Sequence, residues 1–113
     1  MATIGSDNLV FKRGATAGVT LAAGTYTAGT LLVEGATNWS LAAIDGTARI
    51  GVLLEDIDTA IDGTESVVAL EGDFNLNKIT FGVDTTSGLT QTFDDVKVHL
   101  DKAGINLTAA TKE

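Results

Sequence analysis

Residues Gly51–Gly63, GVLLEDIDTAIDG, run from an apolar segment straight into an acidic one. The residues before Glu55 form a continuous apolar run of strand length, which predicts a buried central strand over residues 49–54. From Ile50 through Asn77 the sequence holds seven acidic residues and no lysine or arginine. Such a run is either a set of ligands or catalysts, or the charged turn by which the chain leaves a buried strand.

The spacing of these acidic residues does not fit a calcium-binding loop. An EF-hand loop that began at Asp56 would have Ile61 where it requires a glycine and Val67 where it requires a glutamate. The candidates for an irregular Ca²⁺ site are three carboxylates: Asp58, Asp62 and Glu65. The pattern favours a solvated turn over residues 55–63, whose charges discourage edge-to-edge aggregation of the strand before it.

Glycine-bounded and apolar segments predict further strands on both sides of this stretch. They cover residues 29–35, 39–44, 66–71 and 75–81. The turn dipeptides Asp45-Gly46 and Asp62-Gly63 separate some of them. Short strands and 13 glycines in a chain of 113 residues predict one small, mainly β domain.

The N-terminal part of the chain has weaker signals. Residues 8–12 resemble a short strand, but residues 14–26 consist largely of small side chains that offer little to anchor them. We therefore expect residues 1–24 to form an arm that is weakly ordered alone, and residues 25–113 to form the single β-rich domain.

One short helix is predicted near the C-terminus, over residues 94–103. Thr92 and Asp95 have the spacing of a capping box, with Asp in place of the preferred Glu or Gln. Apolar residues then recur on one helical face: Val96, Leu100 and Ala103. Gly104 lies where a left-handed residue would end the helix, and Ile105 follows it as the expected apolar contact.

Composition and charge exclude several function classes. The net charge of −8 disfavours nucleic acid and anionic membranes, both of which attract clustered Lys and Arg. No apolar run approaches the ~20 residues of a membrane span, and the N-terminus lacks the features of a secretion signal. There is no cysteine, so folding does not depend on disulfides. We expect synthesis in a cytoplasm without classical export.

No arrangement of residues for catalysis emerges from the sequence. The only imidazole belongs to His99, which we expect to be a partly exposed helix residue, and no G-x-S-x-G surrounds any serine. Phosphate-binding glycine motifs are absent. Trp39, the single tryptophan, is expected in the core. We therefore expect a protein that is not an enzyme and uses no cofactor.

An ordered series of segments resembles the bacteriophage head decoration proteins of the lambda type. The segments are Ala28–Val33 (AGTLLV), Trp39–Gly46 (WSLAAIDG), Ala48–Asp58 (ARIGVLLEDID), Val67–Phe74 (VVALEGDF) and Val96–Ile105 (VKVHLDKAGI). Each motif alone is short and made mostly of small and apolar residues, whereas their order and spacing are more specific. Residues 1–27 and the tail after Leu107 show no match, and the absence of proline departs from the lambda-like members.

The resemblance implies a small β-rich, β-clip-like domain that forms a homotrimer on the outer surface of a phage head. Such proteins bind the major capsid protein at threefold positions of the expanded shell and stabilise it. The N-terminal arm is the expected contact with the shell, through five candidate residues: Ile4, Asn8, Leu9, Val10 and Phe11. The alternative from another class is a non-catalytic β-module that binds carbohydrate or another surface ligand, which would require exposed aromatic side chains or a Ca²⁺ site.

Overall fold

The computed structural model describes residues 9–44, 46–84 and 87–108, and of Phe11, Arg13 and Asp84 it describes only the main chain. These residues form a mainly β domain with one α-helix near the C-terminus, as the sequence predicts. The strands are β1 (Val10–Arg13), β2 (Thr16–Leu21), β3 (Gly24–Tyr26), β4 (Leu31–Glu34), β5 (Trp39–Ser40), β6 (Ile50–Leu53), β7 (Ile57–Thr59), β8 (Thr64–Ala69), β9 (Gly72–Asn75), β10 (Val83–Asp84), β11 (Leu89–Thr90) and β12 (Ile105–Thr108). A 3₁₀ helix spans Leu76–Lys78, and helix α1 spans Phe93–Ala103.

Five strands form a closed barrel in the order β2-β5-β4-β6-β8. Strand β6 is buried at all four positions and pairs antiparallel with β4 on one side and with β8 on the other. The prediction of a central strand in the apolar run is therefore confirmed. Because successive side chains of a strand point to opposite faces, β6 contributes to two separate cores.

The first core lies inside the barrel, and the second lies under the helix. Leu53 belongs to the first, with Leu21, Leu32, Trp39 and Val68. Val52 belongs to the second, in which its buried partners come from the helix, the neighbouring sheet and the residues between: Leu9, Leu31, Ile44, Ile50, Ala69, Phe74, Val96, Leu100, Ile105 and Leu107. Continuous burial of β6 thus follows from its position between two apolar layers.

A three-stranded sheet, in the order β1-β9-β12, covers the second core. Strand β1 runs antiparallel to β9, and β12 runs parallel to it. Strands β1 and β12 are therefore the two edges of this sheet. Two smaller pairs, β3 with β7 and β10 with β11, complete the described strands.

The predicted boundary of the N-terminal arm at residue 24 needs correction. Strand β2 pairs with β8 over six residues, from Thr16 with Ala69 to Leu21 with Thr64, and closes the barrel. Only two of its side chains are large and apolar, Val19 and Leu21, yet both are buried in the first core, inside the barrel. Residues 9–24 thus belong to the domain, and residues 1–8 lie outside the described residues.

Three other segments differ from their predictions. The acidic turn over residues 55–63 contains a strand, β7, which pairs with β3. The strand expected over residues 75–81 is instead the end of β9 followed by the 3₁₀ helix, and the strand expected over 39–44 is limited to Trp39–Ser40. The first segment pairs with β3, a partner that the local pattern did not reveal. The 3₁₀ helix instead begins with a local contact, in which the Asn77 amide donates to the Asn75 side chain at 3.0 Å.

The helix agrees closely with its prediction. Thr92 and Asp95 form the complete capping box: the Asp95 amide donates to the Thr92 hydroxyl, and the Thr92 amide donates to the Asp95 carboxylate at 2.9 Å. Gly104 ends the helix with φ of 87°, in the left-handed region that favours glycine. Ile105 is buried directly beyond it and begins β12.

Candidate interaction surfaces

The acidic segment that follows β6 holds the β3 region in place. Each of three carboxylates accepts a hydrogen bond from that region: Asp56 from the Ala28 amide at 2.8 Å, Asp58 from the Thr25 hydroxyl at 3.0 Å, and Asp62 from the Ala23 amide at 2.8 Å. These charge-assisted bonds supplement the short β3–β7 pairing. The acidic residues therefore have a structural use that their spacing along the sequence did not reveal.

The three candidates for a Ca²⁺ site are not brought together. Asp58 and Asp62 are each bonded to the β3 region, and Glu65 lies on β8 opposite Thr20 of β2. Across residues 9–44, 46–84 and 87–108, no group of three or more His, Cys, Asp or Glu side chains has the arrangement of a metal site. The described geometry does not support Asp58, Asp62 and Glu65 as a joint ligand set.

The loop between β7 and β8 presents an exposed apolar side chain on a fixed main chain. Ile61 is 69% exposed. Its main chain is held by the Thr59 hydroxyl, which accepts from the Ile61 amide at 3.2 Å and donates to the Ile61 carbonyl oxygen at 3.0 Å. Gly63 turns the chain with φ of 92° and donates its amide to the Leu21 carbonyl at 2.8 Å. Ile61 is thus held towards solvent by its own loop.

Tyr26 is buried beside this loop. Its hydroxyl donates to the Ala22 carbonyl at 2.9 Å. Burial raises the pKa of Tyr26, and the nearby carboxylate of Asp62 raises it further. The phenol therefore stays protonated at neutral pH and serves as a hydrogen-bond donor within the scaffold.

Arg49 forms the best-defined ion pair on the surface. Its guanidinium donates two hydrogen bonds of 3.0 Å to the Glu34 carboxylate and lies 5.5 Å from the centre of the Trp39 ring. The hydrogen bonds from Arg49 lower the pKa of Glu34. Both side chains are well exposed, so solvent screens the pair, and its main effect is to fix the direction of Arg49. Trp39 itself is buried, as predicted.

A cleft of about 520 Å³ lies between Arg49 and the C-terminal end of the helix. Its floor is apolar, with Ile50, Leu70 and Ala103, and its rim carries Arg49, His99 and Lys102. Within the described part of the chain, no hydrogen bond or ion pair engages Lys102, whereas Arg49 is paired with Glu34. The cleft therefore combines an apolar floor with a cationic rim.

Gly46 shapes one wall of this cleft. Its φ is 87°, and a Cβ added to it would lie 2.7 Å from two ring atoms of His99. His99 is half-buried against this wall, which agrees with the expected partly exposed helix residue. The positive φ favours glycine at this position, and the ring of His99 would have to move to admit a Cβ.

A second, more open groove of about 840 Å³ is lined by residues of β2 and β8 and by residues 34–37. Its carboxylates are Glu34, Glu55 and Glu65, and Val67 adds an exposed apolar side chain. Glu55 accepts a hydrogen bond from Ser66 at 2.9 Å. This surface is acidic, in contrast to the cleft on the other side of Arg49.

The five residues proposed to contact a capsid differ in how far the structure describes them and in how exposed they are. Ile4 and Asn8 lie outside the described residues, and of Phe11 only the main chain is described. Leu9 is 1% exposed in the core under the helix, so its side chain is not available to a partner; this corrects the prediction. Val10 is partly buried against the same core and pairs with Phe74 on β9.

No aromatic side chain that the structure describes is fully exposed. Tyr26, Trp39 and Phe74 are buried, and Phe81 and Phe93 are half-buried. No helix among the described residues has the length and apolar content needed to cross a membrane. Neither the Ile61 loop nor the cleft was found from the sequence, because a single exposed isoleucine carries no motif, and neither do an arginine, a histidine and a lysine that are far apart in the chain.

Searches for similar proteins found no matching family model, no matching curated protein and no matching solved structure.

Proposed function

We propose that this protein is a structural virion protein that binds the outside of an expanded phage capsid as a homotrimer and stabilises the shell. The proposal rests on the ordered sequence resemblance to head decoration proteins. Its segments contribute to the framework of the domain, namely β4, β6 with β7, β8 with β9, and α1. The observation that gives it a mechanism is the position of β1, an edge strand that residues 1–8 lead into directly.

Among the described strands, β1 lies at one edge of its sheet. An extended segment can add to a sheet edge or to a strand of a partner, and main-chain hydrogen bonds then supply the affinity. Residues 1–8 are therefore the proposed contact with the major capsid protein. Leu9 is the point at which the segment is anchored, because its buried side chain fixes the start of β1 to the core.

The energetic logic of the role is mass action. A ligand that binds the assembled, expanded shell and not its separate subunits stabilises the shell in proportion to its occupancy. Three N-terminal segments on one trimer make the second and third contacts effectively intramolecular, which raises the avidity. Location on the outer surface of the capsid follows from this role, and no cofactor is part of the mechanism.

Two truncations test the proposal. Removal of residues 2–7 is expected to leave the domain folded and to weaken co-sedimentation with expanded empty heads. Removal of residues 2–11 is expected to unfold or strongly destabilise the domain, because it deletes the buried Leu9 and the start of β1. The measurements are circular dichroism for folding and co-sedimentation for binding.

Removal of residues 109–113 provides the matched control at the other terminus, and it is expected to bind heads like the full chain. If the full chain does not co-sediment with heads, the decoration role is wrong. If the 2–7 truncation binds as well as the full chain, the role of the N-terminal segment is wrong.

The alternative of a carbohydrate-binding β-module has less support. Trp39 is 5% exposed and is covered by Arg49, so it offers no free ring face to a sugar. A rise in melting temperature on addition of Ca²⁺ or of a sugar, together with failure to bind heads, would favour the alternative.

A further inference from the structure

The Ile61 loop and the cationic cleft have complementary chemistry. The loop, residues 60–63, presents an exposed isoleucine beside the carboxylate of Asp62, with Asp58 on the adjoining strand. The cleft has an apolar floor and a rim that carries Arg49, His99 and Lys102. In a chain of net charge −8, a cationic rim around an apolar floor is a specific feature that suits an acidic, apolar-tipped partner.

The two surfaces cannot meet within one chain. The Ile61 loop precedes Thr64 at one end of β8, whereas Leu70, on the floor of the cleft, follows Ala69 at the other end. A six-residue strand is about 20 Å long at ~3.3 Å per residue. Any contact between the loop and the cleft therefore joins two copies of the chain.

We propose that the Ile61 loop of one copy inserts into the cationic cleft of the next, and that this contact builds the oligomer. Ile61 lies over Ile50, Leu70 and Ala103, and the acidic residues beside it face Lys102. Among the described residues, Lys102 has no hydrogen bond or ion pair within the chain, whereas Arg49 is paired with Glu34. Lys102 is therefore the rim cation that gains most from an acidic neighbour. The contact specifies the interface of the homotrimer and in that respect rests on the proposed function.

The loop is organised before binding. The Thr59 hydroxyl donates to the carbonyl oxygen of Ile61 at 3.0 Å and accepts from the Thr64 hydroxyl at 2.6 Å. The Asp62 carboxylate ties the same loop to Ala23. A loop with a fixed main chain loses little conformational entropy when it docks, which favours a contact based on one apolar side chain.

The contact is heterologous, since different surfaces of the two copies meet. Such contacts close into a ring or continue as a filament, according to the rotation between successive copies. A ring of three is the outcome that agrees with the proposed function. Because two different surfaces meet, a variant with a damaged loop and a variant with a damaged cleft can still bind each other when they are mixed.

The test measures solution mass by analytical ultracentrifugation of the purified full chain. The unmodified protein is expected to be a trimer, and Ile61→Asp is expected to be a monomer at the same concentration. Leu89→Asp is the matched control, because Leu89 is also 69% exposed and lies on a different element, β11. Lys102→Glu is expected to weaken the trimer at least tenfold, whereas Lys78→Glu, at an exposed site on the 3₁₀ helix, is expected to leave it unchanged.

Mixing Ile61→Asp with Lys102→Glu tests the heterologous geometry. The first variant keeps an intact cleft and the second keeps an intact loop, so the mixture is expected to form a one-to-one pair that is tighter than the association of either variant alone. Circular dichroism checks that each variant is folded. Because Ile61 and Lys102 are exposed, loss of folding is not the expected cause of dissociation.

The outcomes separate this inference from the proposed function. A trimer that Ile61→Asp leaves intact overturns the loop-and-cleft contact, while co-sedimentation with heads still tests decoration independently. A monomeric unmodified protein overturns the contact and the trimer together. A filament that Ile61→Asp dissolves supports the contact and contradicts the proposed trimer.

Discussion

Leu9 shows how one residue changes the functional interpretation of a segment. In the sequence it stands beside Val10 and Phe11 in an apolar patch near the N-terminus, which is typical of an interaction segment. In the structure its side chain is 1% exposed within the second core, and its carbonyl accepts a 2.7 Å hydrogen bond from the Asn75 amide. The residue is an anchor of the fold, so the partner-binding role moves to the residues before it.

Substitution of this residue gives a direct measure of that role. Leu9→Ala is expected to lower the free energy of unfolding by about 2–5 kcal/mol, because it removes buried apolar contacts and leaves a cavity. Leu89→Ala, at a 69% exposed position, is expected to change it by less than about 0.5 kcal/mol. Urea denaturation of the two variants and the parent chain makes the comparison. Equal effects at the two positions would show that Leu9 is not part of the core.

Glycines and carboxylates show a similar dependence on the surrounding fold. The positive φ of Gly46 favours glycine, and a Cβ there would displace the ring of His99, which lies 53 residues further along the chain. Asp56 and Asp62 are bonded to amides that precede them by 28 and 39 residues. No local pattern specifies such partners. The sequence could therefore suggest an acidic turn, but it could not show which main-chain amides donate hydrogen bonds to the carboxylates.

Elements with strong local signals are the ones that the sequence predicts well. Strand β6 has a continuous apolar run, and α1 has a capping box, an apolar face and a terminal glycine, all of which act within a few residues. Strand β2 has the opposite character. Its sequence, TAGVTL, is rich in small residues, and its conformation is set by six pairings with β8, about 50 residues away at Thr16 and Ala69.

The same contrast explains why the surfaces proposed for assembly were not found from the sequence. The cleft brings together Gly46, Leu70 and Lys102, which three different parts of the chain contribute. Their proximity depends on the packing of α1 against the barrel, which the sequence alone does not specify. The candidates that the sequence did suggest were chosen for residue type, and burial removed one of them, Leu9.

The capping box of α1 provides a test of a locally encoded element. Thr92→Ala is expected to destabilise the protein by about 1 kcal/mol, because the Asp95 amide loses the acceptor that replaces an intrahelical partner. Thr90→Ala, at an exposed position in β11, serves as the control and is expected to cost less. Thermal unfolding followed by circular dichroism measures both. If the two substitutions have equal effects, the capping contacts do not contribute to stability.

The molecule as a whole has a well-buried centre and a lightly attached edge. Strand β6 is paired on both sides and buried throughout. The β10–β11 pair forms only a two-stranded sheet, and Val83 and Leu89 on it are 46% and 69% exposed. Its connection to the body includes the Gln91 side chain, which accepts from the Ile44 amide at 2.8 Å and donates to the Ile44 carbonyl at 3.1 Å.

This difference predicts the order in which parts of the molecule open. Native-state hydrogen exchange is expected to be slowest for paired amides of β6 and β8, such as those of Leu53 and Val68, because their exposure requires disruption of both cores. Amides of β10 and β11 are expected to exchange through local opening of much lower free energy. Gln91→Ala is expected to speed exchange in β10 and β11 further and to leave β6 unchanged, since Gln91 bonds to Ile44 and not to the barrel strands. Equal protection of β6 and β11, or a uniform response to Gln91→Ala, would mean that the molecule opens as one cooperative unit.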